Sequence, residues 1–218
     1  MGDSGDAESV EIGQLLATLA DTSRTSDERS EALSLLRAKA FNIAAFDPHK
    51  AAFTQTLRTV ATDADATLRR TALATLAQEK DPYAQNLLIQ GLQNPGTALV
   101  SPLFALQLLG TDDHAATASL ARDILANGND PAVRAEAAYL LASDPTAASL
   151  LTALLMDKAE HKAVRQASAV SLRVIDPDAF HNLARGIAAD KSDLPEMRAL
   201  SRTSLALLSR RSGGGSSA

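Results

Sequence analysis

Apolar residues in this chain recur at helical spacing, and one short pattern returns along its length. After Arg69, Ala72, Leu73 and Leu76 stand at +3, +4 and +7. After Arg134 the same offsets hold Ala137, Ala138 and Leu141, and after Arg165 they hold Ser168, Ala169 and Leu172. Arg29 is followed by Ala32, Leu33 and Leu36, and Arg198 by Ser201 and Leu205, with Arg202 breaking the stripe. Side chains so spaced share one face of an α-helix. From Arg69 onward the anchors recur every 31 to 34 residues, provided a copy lies near residue 100. There Val100 takes the anchor position with Leu103 and Phe104 behind it, and the arginine is lost. Ser101-Pro102 reads as an N-cap and first turn, so this helix is expected to start late and be short. The step from Arg29 to Arg69 is longer, 40 residues.

Each of these helices is followed by a restart. Asp47-Pro48, Asp81-Pro82, Asp144-Pro145 and Asp176-Pro177 place an acceptor ahead of a residue with no N–H to waste, a helix N-terminus signature. Asp112 and Asp113 fill the same place without proline. The helices that follow carry their own stripes, such as Phe53, Leu57 and Val60, or Phe180, Leu183 and Ile187. Val10, Ile12, Leu15, Leu16 and Leu19 supply the first. The pattern predicts six two-helix units and no strand. A unit this short cannot bury both its stripes alone, but stacked copies bury one another's, so one pattern serves throughout.

Composition narrows the function classes. Of 218 residues 45% are hydrophobic, mostly Ala and Leu, and only 3% are aromatic, with no Trp, a composition suited to close-packed helices. The net charge of -5 argues against a nucleic-acid or anionic-membrane partner. With no Cys there is no disulfide framework and no thiolate chemistry. No apolar run approaches the roughly 20 residues of a membrane span. The N-terminus has neither the basic nor the apolar segment of a signal peptide, so a cytoplasmic location is expected. Residues 1–7 read as a flexible segment and 212–218 as a Gly/Ser-rich tail, leaving 8–211 as one repeat domain.

The period and the V/L-R-x-x-A/S-A-x-x-L helix resemble HEAT repeats, in particular the short HEAT-like class, over about residues 8 to 209. The Trp, Gly and Tyr positions of tetratricopeptide repeats and the T-P-L-H of ankyrin repeats are absent. The resemblance implies an all-α, right-handed α-solenoid of about six two-helix repeats, with the arginine-bearing second helices lining the concave side. It also implies a structural role for the arginine row, Arg29, Arg69, Arg134, Arg165 and Arg198, bonding loop carbonyls or acids of neighbouring units.

No catalytic constellation emerges. "GDSG" at 2–5 matches a serine-protease signature by letters alone and lacks the β-barrel, histidine and buried acid that the chemistry needs. His49, His114, His161 and His181 have no partner at ligand spacing and there is no Cys, so no metal is expected. "NPG" and "NGND" lack the order of a phosphate-binding loop. Neither an enzyme activity nor a cofactor is expected.

If +3, +4 and +7 point to the core, then +1, +2, +5 and +9 point to the groove. Thr71, Gln78, Glu136 and Tyr139 then line it, with Val170, Val174, Leu200 and Leu207 making it apolar toward the C-terminus. Tyr139, Glu136, Val170, Val174, Thr71 and Gln78 are the candidate partner-binding residues. The expected function is a non-catalytic interaction scaffold that binds a peptide or protein surface through the concave face. The apolar residues either form that contact surface or finish the core, and the two readings differ in what an Asp at Val170 would do. A further reading follows from resemblance to the HEAT-like bilin-attachment lyases, as an accessory lyase or chaperone for a cofactor-carrying protein. The HEAT-like DNA glycosylases are set aside, because their groove needs basic and aromatic residues and this lining is small and neutral.

Overall fold

The computed structural model describes residues 3–110 and 115–213, with side-chain burial over 7–110 and 117–207, and every regular element in them is helical. The chain divides into two compact units, Met1–Asp112 and Asp113–Ala218. In the first lie α1 (Asp3–Ala20), α2 (Ser26–Lys39), α3 (Ile43–Phe46), α4 (Lys50–Val60), α5 (Ala66–Gln78), α6 (Pro82–Gln93) and α7 (Pro102–Leu109). The second holds α8 (Ala115–Asn127), α9 (Pro131–Leu140), α10 (Ala148–Met156), α11 (Lys162–Ile175), α12 (Pro177–Ala189) and α13 (Pro195–Gly213). Helix α1 thus begins inside the segment whose composition reads as flexible, and α13 runs into the Gly/Ser-rich stretch.

Consecutive helices pack in pairs: α1 with α2, α4 with α5 and α6 with α7 in the first unit. In the second unit α8 pairs with α9, α10 with α11 and α12 with α13. Second helices also touch one another, α2 with α5 and α5 with α7, then α9 with α11 and α11 with α13. The +3 stripe is buried in every such helix, at Ala32, Ala72, Ala105, Ala137, Ser168 and Ser201. Ala105 corrects the sequence register. Helix α7 buries Ala105, Leu106 and Leu109, so the anchor position is Pro102 and not Val100. The proline that opens this helix occupies the place of the arginine.

The caps follow side-chain chemistry. Asp65, Asp81, Asp130 and Asp176 accept backbone N–H bonds at the starts of α5, α6, α9 and α12, and Thr25 and Glu28 form a reciprocal capping box on α2. At Asp47-Pro48 and Asp144-Pro145 the restart is a single 3-10 turn before the α-helix. The restart expected at Asp112 and Asp113, and His114 beside it, lie outside the described residues. Lys80, at φ 54°, closes α5 in place of a glycine, with its own N–H donating to the Ala77 carbonyl and that of Asp81 to Leu76.

Between α6 and α7 the chain has only the 3-10 turn Pro95–Thr97, and residues 93–98 are all exposed. Few buried contacts hold these amides, so hydrogen exchange is expected to be fast over 95–101 and the first turn of α7, relative to α9. Equal protection in the two segments would count against this.

Candidate functional site

The row arginines set the spacing of the second helices. Arg29 donates from Nε to the Leu19 carbonyl at 3.0 Å and from Nη2 to Asp63 at 2.5 Å. Arg134 donates to the Leu125 carbonyl at 2.9 Å and grips Glu160 through both terminal nitrogens at 2.9 and 2.7 Å. Arg165, wholly buried, repeats this with the Leu155 carbonyl at 3.0 Å and both oxygens of Asp193 at 2.7 and 2.8 Å. Each guanidinium therefore ties the end of its partner helix to the loop of the following pair, in the forked geometry that only arginine offers. Arg69 is wired differently, to the Leu99 carbonyl ahead of α7 at 2.7 Å and the Asp63 carbonyl at 2.7 Å. Arg198 departs from the row: its Nε is buried without a partner.

The acids respond to these contacts. The Arg165 guanidinium holds the Asp193 carboxyl below the usual carboxylate range against its burial, with help from the Leu194 N–H. Burial is the largest influence on Asp63 and Glu160 and pushes them up, but the bonds and charge of Arg29 and Arg134 together with the Asp65 and His161 N–H groups outweigh it, and both end low. First helices carry a second set of ties: Arg58 of α4 donates to Asp81 at 2.7 Å, and Arg122 of α8 to Asp144. In each the acid is also a cap, Asp81 of α6 and Asp144 of the 3-10 turn that leads into α10, so one carboxylate serves as both cap and anchor.

Gly128 makes the Arg134 clamp possible. A Cβ there would sit 2.5 Å from the Ile124 carbonyl oxygen and 3.2 Å from Arg134 Cγ. Gly128→Ala should therefore cost about 1–3 kcal/mol, the scale of overpacking, read as a lower urea midpoint. An unchanged midpoint would mean the loop gives way freely.

The second unit contains a concavity between α11 and α13. Small buried residues, Ala135, Ala138 and Ala167, let α9 and α11 close together, and Ser171 Oγ donates to the Ala138 carbonyl at 2.8 Å. Among the described residues no matching bond joins α11 and α13. Ser204, one repeat after Ser171, instead lines a groove of about 290 Å³. Its walls are Val170 and Arg173 of α11 and Leu200, Thr203 and Leu207 of α13, and the buried Phe180 of α12 is its floor. Ser168 Oγ, Ser201 Oγ and Arg198 Nε, the buried side-chain polar atoms left without partners among the described residues, all lie on these two helices. This is the least closed helix pair of the unit. Arg173 makes no hydrogen bond or ion pair among the described residues, so a single uncompensated cation stands at the wall of an apolar groove.

Of the candidate partner-binding residues, Val170 lines this groove. Val174, one turn on, is 62% exposed, and Tyr139 on α9, at the same offset from its arginine as Val170, is 43% exposed. Glu136 lies half-buried on α9. Thr71 and Gln78 belong to α5 of the first unit; Thr71 is half-buried and spends its hydroxyl on the Thr67 carbonyl, and Gln78 is exposed. Sequence offsets missed Arg173 and Phe180, which are not on the +2, +5, +9 stripe. They also missed Phe41 and Ile43, 89% and 76% exposed in the turn after α2 and at the start of α3.

Among the described residues no group of His, Asp and Glu is arranged to hold a metal, and no helix is long and apolar enough to cross a membrane. His49 pairs with Ser9 at 2.9 Å and His161 caps α11. No family model and no curated protein matches this chain.

Proposed function

We propose that this protein is a non-catalytic binding module of the HEAT-like α-solenoid type, and that it grips a peptide or protein partner through the face formed by its second helices. The α11–α13 groove is the observation that carries the reading. Its apolar walls and floor suit a large aliphatic or aromatic side chain, and Arg173 suits a carboxylate beside it. At about 290 Å³ it lies at the small end of the roughly 300–1,000 Å³ of ligand pockets. That favours one or two anchoring side chains over a bulky cofactor. Tyr139 and Val174 extend the surface, and tyrosine is enriched among residues that dominate binding energy.

An anionic naphthalene dye, 8-anilinonaphthalene-1-sulfonate, combines the two chemistries and probes the groove before any natural partner is known. The native protein should bind it, with Val170→Asp and Arg173→Glu each weakening binding by about tenfold, equivalent to about 1.4 kcal/mol. Val170 is half-buried in the groove wall, so on the groove reading Val170→Asp should keep its helical circular dichroism. A collapsed Val170→Asp would assign that residue to the core, because a buried unpaired charge is costly. Dye binding unaffected by either substitution would remove the groove reading.

A further inference from the structure

We propose that the groove between α11 and α13 receives Phe41 and Ile43 of a second copy of this chain, so that the protein associates head to tail. The inference rests on the groove reading above and names its occupant. Phe41 and Ile43 are far more exposed than a large apolar residue gains from, and they are neighbours in sequence. They are also held in place. The Phe41 and Asn42 N–H groups donate to the Ala38 and Lys39 carbonyls, and the Asn42 side chain donates to Glu8 at 3.5 Å. A pre-ordered apolar knob loses little conformational freedom when it docks.

Knob and groove match in chemistry as well. The groove offers apolar walls and a cation, Arg173, that is unpaired among the described residues. The knob is bordered by carboxylates: Glu8 beside Asn42, and Asp47, exposed and without an ion pair among the described residues, one turn after Ile43. Knob and groove are different surfaces, so the contact is heterologous, and repeated contacts build a ring or an open chain of copies.

Sedimentation velocity over about a hundredfold range of concentration tests this. The native protein should grow in mass as concentration rises. Phe41→Asp and Leu207→Asp should each stay monomeric, one lacking the knob and the other the groove. Mixed in equal amounts, they should form a one-to-one dimer and nothing larger, because only one good knob and one good groove remain. A native protein that stays monomeric throughout, a Phe41→Asp variant that associates like the native chain, or a mixture that stays monomeric overturns the proposal. If Leu207→Asp fails to fold by circular dichroism, Thr203→Arg on the exposed groove wall replaces it. Dye binding separates the two levels: Phe41→Asp should bind the naphthalene sulfonate as the native monomer does. Retained dye binding in a strictly monomeric protein leaves the groove reading standing and removes only the second copy.

Discussion

Arg165→Ala is expected to cost about 3–5 kcal/mol of folding stability, while Arg198→Ala, at the same place in the next repeat, should cost less than about 1 kcal/mol. The difference lies in what each side chain leaves behind. Arg165 is fully buried and bonded to the Leu155 carbonyl and both Asp193 oxygens. Its removal strands a buried carboxylate as well as a carbonyl, and an uncompensated buried charge is among the costliest single changes a fold can suffer. Among the described residues Arg198 holds no acid, and its Nε is already an unpaired buried donor, so truncation loses mainly the packing of its stem. Arg134→Ala should fall between the two, because Arg134 is part-exposed and Glu160 keeps the His161 N–H. Urea denaturation of the three variants measures this order. Equal losses at Arg165 and Arg198 would show that the row acts through packing and not through its acids.

The contrast marks where sequence reading stops. The stripes that make the helices were legible, since burial at +3, +4 and +7 is a property of the helix itself and recurs at Ala32, Leu33 and Leu36 as at Ala72, Leu73 and Leu76. Arginine at a fixed place in each stripe was legible too. Its partners were not. Asp63, Glu160 and Asp193 lie in loops of varying length, where an acid also reads as an ordinary turn residue. The four-residue α3 was invisible for another reason: one turn carries no periodicity. Near α7 the repeat spacing points to Val100, but Pro102 fixes where the helix begins and so sets which side chains turn inward.

The candidate site was half legible for the same reasons. Val170, Leu200 and Leu207 stand at +5, +2 and +9 from their arginines, positions assigned to the groove face, and all three line the groove. Phe180 reaches the groove from a first helix, whose own stripe predicts only that it is buried. Arg173 looks like a surface cation until it is seen to line the groove with no acid beside it among the described residues. Phe41 and Ile43 sit outside any stripe, and exposure of a lone apolar residue is set by what the fold fails to bring near it.

Acid should loosen this fold in a defined window. Asp63, Glu160 and Asp193 each have a carboxyl held below its ordinary value in the folded chain. For a depressed carboxylate the stabilisation is fully present above the unfolded pKa, about 3.9 for Asp and 4.3 for Glu, and is lost as pH falls through the folded value. Stability should therefore be nearly flat from about pH 7 to pH 5 and should fall as the pH drops below about 4 and through the folded values of the three carboxylates. General charge repulsion also grows in acid, because the 21 Lys and Arg residues lose their acidic counterweight. The variant Asp193→Asn separates the two effects: it should be less stable than the native chain at pH 7, and its urea midpoint should change less between pH 5 and pH 3. Added salt screens the diffuse repulsion and leaves the buried Arg165–Asp193 pair almost untouched. If Asp193→Asn kept the full native pH dependence, the acid transition would belong to net charge and the clamps would have no part in it.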